Sequence, residues 1–173
     1  YHSVGTAIIS EKLAEITAEV KPGLAYTAGL LHDIGKVVLD QHIASAYPLF
    51  YRQLFEENAN FNEAEKTILG VDHTEVGREL ASKWSLSESL ADTIHHHHNQ
   101  EETARNVKLT NIVYLADLLM SRFHTGLELE RLSTATLSSR LRTIGCSIEK
   151  FSEIVDLIPA GVFKSEPELA LMQ

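Results

Sequence analysis

The chain has 173 residues, of which 44% are apolar and 23% charged, and a formal net charge of −9. That length can bury one sizeable core, and the composition is that of an ordinary globular protein. The acidic balance, with no basic stretch to displace counterions from phosphates, argues against a nucleic-acid polymer as partner. A small phosphorylated ligand in a locally positive pocket stays open. The one cysteine, Cys146, excludes a disulfide framework and a cysteine-based zinc site. It fits a reducing, cytoplasmic setting. No apolar run reaches about 18 residues, so no membrane span is expected. The chain opens at Tyr1 straight into helical pattern, without a signal-peptide pattern, and is read as a piece of a longer protein.

Almost every periodic signal is helical. His2, Ile9, Leu13, Ile16 and Val20 share one face of a first helix, and "KPG" at 21–23 breaks it. A second helix with a dense apolar face is expected from 24 to about 40. Pro48 sits near the start of a third, which runs through Phe50, Leu54 and Phe55. In "NFNEAEKTILG", Asn62 as N-cap with Glu65 three residues on reads as a capping box. "DHTEVGRELASKW" repeats the device with Asp72 and Glu75, after which Val76, Leu80 and Trp84 line up. Ser87 can cap "ESLADTIHHHH". After the polar stretch 99–106, a long helix carries Leu109, Ile112, Val113, Ala116, Leu119, Met120 and Phe123 on one face. Weaker helices follow near 134–143 and 148–157, before Pro159. There is no β alternation, no Gly-rich phosphate loop and no internal repeat. The expectation is an all-α, compact bundle of about eight helices, spanning 1–163, with 164–173 as a tail or linker.

Several polar residues fall on apolar faces. In "GLLHDIGK", read as helix, adjacent His32 and Asp33 point about 100° apart. Lys36, four and three residues on, shares their side. His2, His32 and His73 each sit on an inward face, and Asp117 lies between Val113 and Met120 in helical register. Taken singly, an inward histidine is more often a hydrogen-bonded core residue, and a lysine such as Lys36 a snorkelling surface one. Asp117 could pair with an arginine. The run His95-His96-His97-His98 could be a solvated surface, although its place inside a helical pattern rules out a tag remnant. Taken together, four helices each push a ligand-type group inward, and an unpaired buried carboxylate is strongly disfavoured. Metal coordination satisfies all of them at once.

"AYTAGLLHDIGKVVL" resembles the signature of the HD superfamily of metal-dependent phosphohydrolases. "GVDHTEVGRELASKW", "ADTIHHHH" and "NIVYLADLLM" resemble its HDOD branch, bacterial signalling modules related to the HD-GYP cyclic-di-GMP phosphodiesterases. The resemblance runs from His2 to about Phe163. It implies a binuclear site, with His97 and His98, rather than His95 and His96, as the family's His-His pair. One ion would take His2, His32, Asp33 and Asp117. The other would share Asp33 and take His73, His97 and His98. Imidazoles with carboxylates suit iron, manganese, zinc or nickel, with geometry deciding among them; iron is the first expectation and the others are alternatives. Metal-bound water becomes acidic enough to attack phosphorus. Lys36 would hold a phosphate oxygen, making Lys36 and Asp33 the candidate catalytic residues, and Gly35 would allow a helix or a ligand to approach closely.

The chain departs from the HD-GYP pattern. His97-His98 is followed by "NQEETARNVKL", without the Glu or the GYP loop of those enzymes. HDOD domains also often lack several ligands, whereas every ligand position is filled here. Three readings follow. The first is a signalling module that binds metal and relays to other domains or proteins. The second is a phosphohydrolase acting on nucleotides or cyclic nucleotides. The third is a metal-free interaction domain. Asp33→Ala would empty the site under the first two and be nearly neutral under the third, and phosphodiester turnover separates the second from the first.

Overall fold

Residues 1–57, 59–99, 105–125 and 134–158 are described by the structure, a computed structural model; the side chains of residues 44, 45, 122–125, 134 and 135 lie outside that description. The expected tail at 164–173 also lies outside it. The described residues form nine α-helices and one π-helical turn, with no strand, as the all-α expectation requires. None of these helices is long and apolar enough to cross a membrane. The chain divides into two units, one of residues 1–30 and 111 onward, the other of residues 31–110.

In the first unit, α1 (His2–Thr17) ends where Ala18 turns left-handed at φ 54° and its N–H returns to the Ala14 carbonyl. Val20 therefore lies beyond the helix, not on its face as expected. Pro22 opens α2 (Pro22–Leu31) instead of merely ending α1, because a proline's missing N–H is no loss in a first turn. α2 lies close on α1: a Cβ at Gly29 would come 2.8 Å from the Thr6 carbonyl oxygen. From α7 (Val107–Thr125), Ile112, Val113, Leu115, Ala116 and Met120 are fully buried, so the expected single face is wider than its pattern. Ile9 and Leu13 of α1 are buried too. α8 (Thr134–Thr143) packs on α9 (Ile148–Leu157), which Ser147 caps through the Lys150 N–H. Lys150 Nζ donates to the Ile16 carbonyl at 3.3 Å, tying α9 to α1.

The second unit corrects three expectations. The helix expected from 24 to about 40 is broken: α2 stops at Leu31, His32 and Asp33 form a turn, and α3 (Ile34–Tyr51) begins anew. Pro48 does not start a helix but sits inside α3, close to its end. The chain then passes into a π-helical turn, Arg52–Glu56. A proline lacks the N–H for the ladder and crowds the preceding turn, so loosened winding beside it is expected. The N-cap of α4 (Phe61–Leu69) is Asn60, paired with Glu63, not Asn62 with Glu65. "NFNE" and "NEAE" offer the same spacing two residues apart, and the first frame is taken.

The other caps follow local chemistry. Asp72 and Glu75 form the capping box of α5 (His73–Lys83). Ser87 caps α6 (Glu88–His96) through the Leu90 N–H. The inward face of α5 consists of His73, Thr74, Gly77 and Ala81. Trp84, expected in line with the core, is 55% exposed at the helix end. Small residues on α5 let neighbours approach, and α5 packs against both α3 and α6.

Candidate metal centre

The site grows out of the break at "HD". Asp33 occupies the N-cap position of α3 at φ −99°, ψ 13°, the sparsely populated bridge region. An aspartate there normally accepts a first-turn N–H, but its side chain makes no such cap, forgoing about 1 kcal/mol of helix stability. Its carboxylate turns to side chains instead. Oδ2 lies 2.7 Å from Lys36 Nζ and 3.4 Å from His32 Nε2. Oδ1 lies 3.4 Å from His73 Nε2 and 3.6 Å from His97 Nε2. Burial by itself would push this carboxyl up. The charge of His32, the hydrogen bond with His97 and the charge of Lys36 outweigh it and hold the group well below the usual carboxylate range. Asp33 is therefore an anion at neutral pH, as a ligand must be.

Gly35 brings the next ligand within reach. A Cβ at Gly35 would lie 1.9 Å from the His73 carbonyl oxygen and 2.8 Å from the Gly77 nitrogen. The first turns of α3 and α5 therefore touch backbone to backbone, and the close approach foreseen for Gly35 is that of a helix. His73, fully buried, starts α5. Its Nδ1 lies 2.6 Å from Glu65 Oε2, and its backbone N–H donates to the same oxygen at 2.9 Å. His97 follows α6, also fully buried, with Nδ1 2.8 Å from the Ile94 carbonyl oxygen. A carbonyl only accepts and a carboxylate strongly prefers to, so both Nδ1 atoms carry a proton, and each ring turns its Nε2 toward Asp33. His98 comes in from the exposed side, its Nε2 3.2 Å from His73 Nε2.

The donor atoms of Asp33, His73, His97 and His98 all lie within 4.8 Å of one another. Three imidazoles and one carboxylate form a set that suits iron, manganese, zinc or nickel, and ring nitrogens held from behind are the usual support of metal-bound histidines. The residues present fit a transition-metal ion.

His32 is fully buried, its ring centroid 5.0 Å from that of His97. His95 and His96 lie outside the four-residue cluster. Their rings meet edge to face with centroids 4.4 Å apart, and His96 faces Asp92 at 3.7 Å. Lys36 Nζ is also 5.6 Å from the centre of the Phe61 ring. In the first unit, His2 Nε2 lies 2.9 Å from Asp117 Oδ1, so a histidine is a partner of Asp117. Sequence reasoning missed Glu65 as a partner of His73. Its spacing from Asn62 reads as a cap, and no local signal distinguishes the two roles.

The fold and the cluster define an all-helical domain built around a His/Asp donor set. The chain belongs to the HDOD domain family, whose profile matches residues 1–100. That range holds every residue of the cluster and leaves Asp117 outside. A protein of Treponema pallidum (strain Nichols), described as uncharacterized, is 36% identical over 107 residues, covering 59% of this chain and 20% of that protein. An HDOD domain protein of unknown function from Geobacter sulfurreducens is 28% identical with a TM-score of 0.68, over 90% of this chain and 55% of that one. A candidate phosphohydrolase from Shewanella amazonensis SB2B shares the fold at TM-score 0.71 and 22% identity, over 94% and 60%. The MmoQ response regulator from Methylococcus capsulatus str. Bath does so at 0.61 and 20%, over 89% and 58%. The chain thus spans a fifth of the curated relative and less than two thirds of each of these structures.

Proposed function

We propose that this chain is a bacterial signalling module of the cytoplasm, in which a transition-metal ion held by Asp33, His73, His97 and His98 orders the helices that a partner domain or protein reads. The carrying observation is a convergence of ligand-type atoms. His73 Nε2 and His97 Nε2, each with its ring proton held on the far side, face one carboxylate oxygen at 3.4 and 3.6 Å. A metal ion among them would take these Nε2 atoms and the carboxylate as ligands, in place of protons. Asp33 makes no helix cap and turns its carboxylate to them instead. The likeness to a response regulator supports the signalling part. On the same reading a second ion would share Asp33 and take His2, His32 and Asp117, as the family resemblance implies, with iron as the first expectation for both.

The test is elemental analysis of protein purified without chelator under low oxygen, beside Asp33→Ala. About two ions per chain support the binuclear site and about one supports the four-residue cluster alone. Well under one, unchanged after reconstitution with iron and manganese, overturns the reading in favour of a metal-free interaction domain.

One observation favours a second reading, a metal-dependent phosphohydrolase. Lys36 Nζ, on a side chain 35% exposed, stands 2.7 Å from Asp33 Oδ2. That is where a cation can hold a phosphate oxygen and offset transition-state charge. A bound ion would supply Lewis acidity and an acidic water. The likeness to a candidate phosphohydrolase supports this reading. The missing GYP loop speaks against cyclic dinucleotides in particular. Turnover of bis(p-nitrophenyl) phosphate by the metal-loaded protein, lost in Lys36→Ala with metal content kept, would support it; no turnover in the iron or manganese form would refute it.

A further inference from the structure

Glu65 is a fully buried carboxylate that neither the fold nor the ligand set accounts for. It lies on α4, whose capping box is already complete with Asn60 and Glu63. Oε2 receives both the backbone N–H of His73 at 2.9 Å and its ring Nδ1 at 2.6 Å. Oε1 is buried and makes no hydrogen bond to the described residues. Asp72 already caps the neighbouring N–H groups of Thr74 and Glu75. Burying an anion with one oxygen unsatisfied is costly unless positive charge lies nearby. The His73 ring stands between Glu65 and the cluster, presenting Nδ1 to the glutamate and Nε2 to Asp33 and His98.

We infer that Glu65 is the positioning residue of the metal centre, fixing the His73 ring by its Nδ1–H and strengthening its Nε2 as a donor to the ion. The inference rests on the metal reading above. It adds α4 to the helices the site depends on, although α4 supplies no ligand. The carboxylate acts through the ring: it selects the tautomer, locks the ring's rotation and passes negative charge toward the ion.

The experiment compares wild-type protein with Glu65→Gln and Glu65→Ala. Zinc and iron(II) dissociation constants are measured by chelator competition, and urea midpoints on the metal-free proteins. Glu65→Gln keeps the shape and loses the charge. Its dissociation constant is expected to rise about 10–100-fold at unchanged stoichiometry, with Glu65→Ala weaker still. A merely structural glutamate would lower the urea midpoint and leave the dissociation constant of the folded protein unchanged, and that result overturns the inference. A second readout needs no variant. In the zinc-loaded wild type, nitrogen-15 spectra of the imidazoles should show His73 with a protonated, strongly hydrogen-bonded Nδ1; an Nδ1 without its proton overturns the assignment. Wild-type protein that binds no metal refutes the proposed function and this inference with it, whereas equal affinities in wild type and Glu65→Gln refute this inference alone.

Discussion

The contact between α3 and α5 can be broken by one methyl group. In Gly35→Ala the new Cβ would stand 1.9 Å from the His73 carbonyl oxygen, where ordinary contact begins at 3.4 Å. The helices must therefore part locally by about 1.5 Å, far more than a packed core absorbs. The nearest obstacles are backbone atoms of His73 and Gly77, so no rotamer change relieves the overlap. Overpacking costs about 1–3 kcal/mol where side chains can yield. Here the upper end is the expected minimum, about 3 kcal/mol, or a fall in Tm of about 6–12 °C for a chain of this size. The same displacement moves His73 away from Asp33, and ligand sites tolerate only about 0.5 Å, so metal affinity should drop at least tenfold. Urea unfolding followed by far-UV circular dichroism gives the first quantity and chelator competition the second. Gly23→Ala is the control: nothing lies within 4 Å of its Cβ, and it should be neutral or stabilising by up to about 1 kcal/mol. A Gly35→Ala protein within about 0.5 kcal/mol of wild type, with wild-type metal affinity, would refute the packing argument.

Asn60→Ala should cost about 1 kcal/mol of stability through the lost cap, and Asn62→Ala less than about 0.5; urea midpoints in the reverse order would put the cap at Asn62 and take Glu65 from His73. For Asp72, burial pushes the carboxyl up, but the Thr74 hydroxyl, the Glu75 N–H and Lys66 outweigh it, so the folded value is lowered. The stabilisation is thus present above the unfolded value of about 3.9 and lost as pH falls through the lower folded value. Asp72→Ala should lose about 1 kcal/mol at neutral pH, and its gap from wild type should narrow in urea titrations well below pH 4; a constant gap contradicts the assignment. Metal at about 100 times its dissociation constant should stabilise wild-type protein by about 2.7 kcal/mol. Thermal melts of Asp33→Ala should show no such shift, and a shift there would remove Asp33 from the site.

What was legible beforehand was local. The Asp72–Glu75 box and the Ser87 cap stand where their spacing puts them, because a cap is satisfied within three residues. What failed was also local in appearance. Two identical Asn-x-x-Glu frames overlap in "NFNEAE", and nothing within that stretch ranks them. Trp84 is apolar and in register, yet it stands at the cap position past the end of α5, 55% exposed. The bend at His32 and Asp33 was hidden because its flanks are both helix formers.

The sequence by itself determined an all-α chain, most helix starts, and the residue types of a metal-type site on elements that carry inward polar groups. Those follow from periodicity and cap chemistry, which act over one or two turns. Only the tertiary structure decided that "HD" is a turn between helices, that Gly35 meets the His73 backbone, and that Glu65 stands behind the ring of His73. The last two depend on residues eight or more positions apart meeting at atomic distance, and such contacts are set by packing between helices, not by the preferences of any one segment.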